Sequence, residues 1–171
     1  MCGCHQADQR VAGSGAVLHL ELTDSTGRLD AKAGSDLTAL LHRAASELDA
    51  RGEVRVRVVD DATMSDLHAR HSGVAGTTDV LTFDLRPMGL GPLDTDIIVC
   101  LDEAARQAAT RNHSPERELL LYALHGMLHC LGHDDHDEAA YARMHAAEDA
   151  VLTAIGVGPL FAKPPQQGSP S

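Results

Sequence analysis

Hydrophobic and polar positions alternate along this chain in two periods, and the periods take turns. Residues 16–22 and 53–59 repeat every second position, the latter with Val54, Val56 and Val58 on one face and Glu53, Arg55 and Arg57 on the other, as in half-buried strands. On that pattern Arg55 and Arg57 form a solvated face. Between the two segments Leu37, Leu40, Leu41, Ala44 and Leu48 recur at helical spacing, with Ser35 or Asp36 as the N-cap. A short helix over 62–71 follows the second strand. Residues 80–85 and 96–101 read as strands joined by a Pro- and Gly-containing loop, 86–93, after which Asp102 caps a helix over 103–111.

Ser114, Pro115 and Glu116 supply a cap, a first-turn proline and an acid matched to the helix dipole, so a further helix starts there. Its buried face is Leu120, Leu124, Met127, Leu128 and Leu131. The last helix, 137–155, packs through Tyr141, Met144, Val151 and Ile155 and leaves His145 at the surface. No internal repeat is visible. The pattern predicts an α+β fold, a small mixed four-stranded sheet packed against helices. It occupies one domain, 16–162, between a flexible leader, 1–15, and a disordered tail of sequence KPPQQGSPS, 163–171.

The densest chemistry lies in the run HGMLHCLGHDDH, from His125 to His136. Two imidazoles four positions apart on a helix share one face, with Cβ atoms about 5–6 Å apart, close enough to bind one metal ion. Eleven histidines make some chance pairs inevitable. What singles out His125 and His129 is their apolar helix, the stop at Gly132 and the acidic, histidine-bearing segment directly afterwards. A left-handed glycine turns the chain back, so that Asp135 or His136 offers a third ligand. Three protein ligands leave one position open for water, the catalytic pattern. In the HExxH metallopeptidase motif a glutamate follows the first histidine and serves as general base, but here that place is held by Gly126. A hydrolase of another substrate class is indicated. Glu118, seven positions before His125, reads as a surface acid.

The segment from His125 to Asp135 resembles the signature of the YbeY family of bacterial metallo-endoribonucleases, HGxLHLxGYDH, with Cys130 and His133 replacing the usual Leu and Tyr. Thr78 to Phe83 resembles the family's TDVLSF strand, and Asp96 to Asp102 its GDIxICLD strand, in the same order and spacing. The resemblance runs from about Val17 to Ile155. It implies a zinc-dependent, single-strand-specific endoribonuclease of 16S ribosomal RNA 3′-end maturation and ribosome quality control. Its partners would be precursor ribosomal RNA and ribosomal particles, not DNA, and His125 and His129 its catalytic metal ligands, with one Zn2+ per chain. The family's third histidine falls at Asp135, with His136 one place further, so both stay open as the third ligand. The arginine of its YRGKD-like segment falls at Ser72, which leaves Arg70 as a candidate for positioning RNA.

Composition adjusts this picture. The chain has 171 residues, 43% hydrophobic and 23% charged, enough for one domain to bury a core. Without tryptophan, and with two tyrosines and two phenylalanines, it predicts an aliphatic core and little base stacking on aromatic platforms. A formal charge of −11 is unlike that of most nucleic-acid binders. A metal cation and a few arginines can still make one cleft attractive to phosphate, with weak steering from afar. Cys2, Cys4, Cys100 and Cys130 show no disulfide framework, and no apolar segment nears the ~18 residues of a membrane span. A reduced, cytoplasmic protein without a membrane partner is expected. The ligand-type residues Cys2, Cys4 and His5 sit in an aperiodic leader and are not read as a metal site.

Two other classes share these features. A metallopeptidase would use the same helix and metal, and Gly126 speaks against it. A non-catalytic ribosome-assembly factor with structural zinc would need a closed shell, with Asp135 and His136 both bound.

Overall fold

In a computed structural model, which describes residues 17–161, the chain runs β1 (Leu18–Asp24), α1 (Ala31–Glu47), β2 (Gly52–Val59), α2 (Asp61–Ser72), β3 (Val80–Asp84), β4 (Leu93–Cys100), α3 (Leu101–Arg111), α4 (Pro115–Cys130) and α5 (Glu138–Ala154). The leader with Cys2, Cys4 and His5 and the tail after Ala162 lie outside the described residues. The strands form one α+β sheet in the order β1-β2-β4-β3, with β1, β2 and β4 parallel and β3 antiparallel to β4. Parallel neighbours need a crossover, and α1 supplies it between β1 and β2.

The sheet has two unlike faces. Val54, Val56 and Val58 of β2 and Leu93, Ile97 and Val99 of β4 pack against α1 and α4 in the main core. On the reverse, α2 covers a small cluster of Val59, Met64, Ile98 and Cys100 with Leu67, Leu81 and Phe83. Elsewhere on that face Arg55 reaches across to β4, its Nε 2.5 Å from Asp96 Oδ1 and its Nη2 2.5 Å from Asp94 Oδ1. Helix α4 is the centre of the molecule. Leu119 to Leu124, Met127 and Leu128 are all buried, which leaves the helix almost no solvent face.

Three element starts differ from the sequence reading. Helix α1 begins at Ala31 and is capped by Asp30, whose carboxylate accepts from Ala33 N at 2.8 Å, so Ser35 and Asp36 lie inside it. Its first turn contains no large apolar residue, and the stripe becomes visible only at Leu37. Helix α3 begins at Leu101, and Asp102 sits in its first turn. That carboxylate accepts from Arg28 Nη1 at 2.7 Å and from Asp61 N at 2.9 Å, joining the loop before α1 to the start of α2. Strand β4 begins at Leu93 rather than Asp96, because Leu93 N donates to Arg51 O at 2.7 Å and its neighbours continue the register with β2.

Candidate metal centre

Helix α4 delivers both histidines, and the way it ends delivers the third donor. Gly132, with φ +93°, donates its N–H to His129 O at 3.0 Å, and His133 N donates to Leu128 O at 3.0 Å, which folds the chain back over the last turn. Asp135 then comes to lie beside the two rings. His125 Nε2 and His129 Nε2 are 2.9 Å apart, and Asp135 Oδ2 is 3.6 Å from the first and 3.7 Å from the second. Donors held about 2.0–2.2 Å from one tetrahedral ion stand about 3.3–3.6 Å from one another. The oxygen–nitrogen separations lie at or just above the upper end of that range and the nitrogen pair stands closer, so the three donors converge on one spot of the kind a zinc-class ion would occupy. His136 takes no part in this triangle; it is exposed, and its Nδ1 is hydrogen-bonded to Asp134 Oδ1.

Partners on the far side of each ring fix which nitrogen faces the triangle. The Glu148 carboxylate only accepts, so His125 Nδ1 donates to Glu148 Oε1, at 2.7 Å. His129 Nδ1 donates in the same sense to the carbonyl of His133, at 3.1 Å. Both Nε2 lone pairs therefore point at one spot, where two acceptors 2.9 Å apart repel unless a cation or a proton joins them. Burial alone would lower the His125 pKa, but the hydrogen bond and charge of Glu148, with the nearby Asp135 and Asp79, outweigh it and raise the value. Glu148 is 1% exposed and has a second client, His145, whose Nδ1 lies 2.7 Å from Oε2.

Sequence reasoning missed Glu148, although a signal existed. Met144, Glu148, Leu152 and Ile155 follow one another at helical spacing on α5, so an acid stands in an apolar stripe, and buried acids require partners. The same reading left His145 at the surface, whereas its side chain is 18% exposed beneath Phe161 and Tyr141. Tyr141, assigned to packing, is 54% exposed. Glu118 is not a surface acid either. It is fully buried because α4 is enclosed on nearly all sides, and its carboxylate takes Arg111 Nη1 at 3.0 and 3.2 Å. It closes the α3–α4 junction and does not approach His125.

Gly126 faces the sheet. A Cβ on this residue would stand 2.6 Å from Thr82 Oγ1 and 3.1 and 3.2 Å from the Ile97 methyl carbons, so β3 and β4 leave no room for any side chain. A glutamate here would be driven into the sheet. Arg86, 9% exposed, pins the end of α4 to the β3–β4 connection: it pairs with Asp84, donates to Gly91 O and hydrogen-bonds the Cys130 carbonyl.

Two clefts meet at His125. One, of about 470 Å³, lies between β3 and α4 and is lined by Thr82, Asp84 and His129. The other, of about 590 Å³, lies among α3, α4 and α5 and includes Asp135, Glu148 and Arg111. Arg70 lines neither; it pairs with Asp66 on the exposed side of α2, which Ser72 ends.

A family model described as Endoribonuclease YbeY matches residues 21–156. The Endoribonuclease YbeY of Moorella thermoacetica is 34% identical over 154 residues, covering 81% of this chain and 99% of that protein. That of Lysinibacillus sphaericus is 33% identical over 154 residues, covering 83% and 98%, and that of Symbiobacterium thermophilum 39% identical over 129 residues, covering 68% and 80%. The solution structure of TM1509 from Thermotoga maritima shares the fold, with a TM-score of 0.54 and 23% identity over 89% of this chain and 100% of that one. The family model and these relatives lead to one statement: the chain belongs to the endoribonuclease YbeY family.

Proposed function

We propose that this protein is a metal-dependent endoribonuclease that cuts single-stranded RNA, with one zinc-class ion held by His125, His129 and Asp135. The observation that carries the proposal is the convergence of those three donors where two clefts meet. When bound, such an ion supplies Lewis acidity toward a phosphoryl oxygen and a water of lowered pKa. The chain's own residues do the rest. Glu148 and the His133 carbonyl hold the ring tautomers, Arg86 holds the end of α4, and the clefts admit a strand on either side of the centre. The relatives are endoribonucleases by name, which supports RNA as the substrate. The resemblance extends the proposal to 16S precursor ribosomal RNA, ribosome quality control on ribosomal particles, and a cytoplasmic setting. No described helix is long and apolar enough to cross a membrane.

The peptidase alternative lacks a base at Gly126, and the packing of Thr82 and Ile97 leaves no space to add one. The structural-zinc alternative needs a fourth protein ligand, and His136 is turned to Asp134 instead. Metal analysis joined to cleavage of a single-stranded oligoribonucleotide tests the proposal. We expect about one zinc per chain, and we expect His129→Ala to abolish cleavage with the circular dichroism unchanged. No zinc uptake, or an unchanged rate in the variant, would overturn it.

A further inference from the structure

A chain with no tryptophan, two tyrosines and two phenylalanines places three of those four rings on one cleft, the larger of the two that open at the metal centre. Phe161 stacks on His145, with centroids 3.7 Å apart and planes at 28°. Tyr141 meets the same imidazole edge-on at 4.1 Å, and the Arg111 guanidinium lies 5.8 Å from the Phe161 centroid. Tyr141 keeps 54% of its surface exposed, so the cleft has an aromatic rim as well as an aromatic wall. Tyr122, also in that wall, is 5% exposed, and among the described residues its hydroxyl has no hydrogen-bond partner; neither has His145 Nε2. Both atoms are closed off behind the wall, so what the cleft offers a ligand is ring surface, above all the exposed ring of Tyr141.

These features select one ligand chemistry. A purely apolar ligand would strip water from the carboxylates of Asp79, Glu103 and Asp135 and return nothing to them. A phosphate makes no use of the ring faces, and it meets the carboxylates of Asp79, Glu103 and Asp135 while Arg111 is engaged by Glu118. A nucleobase has flat faces that stack and an edge of hydrogen-bonding groups. We propose that this cleft is a base-binding subsite, in which one unpaired base of the RNA, on the nucleotide at the metal centre or its neighbour, stacks on the exposed ring of Tyr141. The proposal rests on the endoribonuclease reading, and it gives that reading a source of strand selection. A base in a duplex has its faces covered and its edge paired, and cannot enter.

With no tryptophan present, the emission of the protein comes from Tyr122 and Tyr141, both on this cleft. Titration of the zinc-loaded parent with adenosine 5′-monophosphate is expected to quench that emission saturably after inner-filter correction, and ribose 5-phosphate is expected not to. Calorimetry should show adenosine monophosphate binding weakened about ten-fold or more in Tyr141→Ala, the usual loss when a stacking ring is removed, with zinc content and thermal midpoint unchanged. In cleavage assays the variant should raise KM more than it lowers kcat, and should discriminate less between single strands and duplexes. Equal binding of the two phosphates, or unaltered nucleotide affinity in Tyr141→Ala, would overturn the subsite. Binding is read here without turnover. A protein that binds the base and cuts no RNA refutes the nuclease reading alone, and one that cuts RNA without base binding refutes the subsite alone.

Discussion

Replacing Glu148 by glutamine tests the part of the centre that no motif announces. The carboxylate accepts from two imidazoles at once, His125 Nδ1 and His145 Nδ1, each at 2.7 Å, while being 1% exposed. Glutamine has nearly the same volume but offers one acceptor and one donor. One of the two rings must then accept at Nδ1 and carry its proton on Nε2. When that ring is His125, the nitrogen facing His129 and Asp135 is blocked. Outer partners of this kind are worth about 10–100-fold in metal affinity, equivalent to about 1.4–2.7 kcal/mol. Zinc affinity measured by chelator competition should therefore fall by one to two orders of magnitude in Glu148→Gln. Cleavage at saturating zinc should recover partly, since the ligands themselves remain. A variant that binds zinc as tightly as the parent would show that tautomer control by Glu148 is not what orients His125.

Gly126→Ala gains about 1 kcal/mol of helix propensity but forces a methyl against Thr82 Oγ1 and Ile97, an overpacking that costs about 1–3 kcal/mol. Urea denaturation should thus find it less stable than the parent, and adding Thr82→Ala should restore part of the loss; a single variant more stable than the parent refutes the close packing. Asp135→Ala should lose zinc strongly and His136→Ala hardly at all, because only Asp135 stands within 3.7 Å of both Nε2 atoms. The reverse order by calorimetry would assign the third ligand to His136. Salt should affect RNA binding weakly, since Arg111 is the one arginine or lysine among the described residues lining the two clefts. With about one phosphate neutralised, the slope of log affinity against log salt is about −0.7, and a slope steeper than about −3 would reveal a basic track elsewhere.

Local periodicity carried the alternation of strands and helices, and the helical repeat carried the pairing of His125 with His129, because both depend on residues a few positions apart. What it could not carry was set by distant parts of the chain. Asp102 looked like a cap because its partners, Arg28 and Asp61, lie far away in sequence. Glu118 looked like a surface acid because only the enclosure of α4 by other elements shows that it is buried. The place of β4 between β2 and β3 is a choice of partner that no single strand's pattern encodes. At the centre, spacing left Asp135 and His136 open, since the loop's path depends on the turn at Gly132 and the hydrogen bond from His129 to the His133 carbonyl. Few aromatic residues suggested little base stacking, but composition counts rings and does not place them; the fold gathers three onto one cleft.

That gathering bears on how so acidic a chain can hold a polyanion. A dication at the centre would face two carboxylates, Asp135 as ligand and Glu148 behind His125, which together offset its charge; Asp79 and Asp84 line the adjoining walls. A centre of that kind polarises a phosphate at contact but draws little from a distance. Arg111 adds one cation, already shared with the buried Glu118. Affinity for RNA must then come from contacts that a formal charge of −11 does not oppose. Stacking is such a contact, because the face of a base is uncharged and every base has one. Under the two proposals the metal would supply the chemistry and the aromatic cleft much of the hold. Selection of single strands would follow from the second, since exposed base faces are what a single strand has and a duplex lacks.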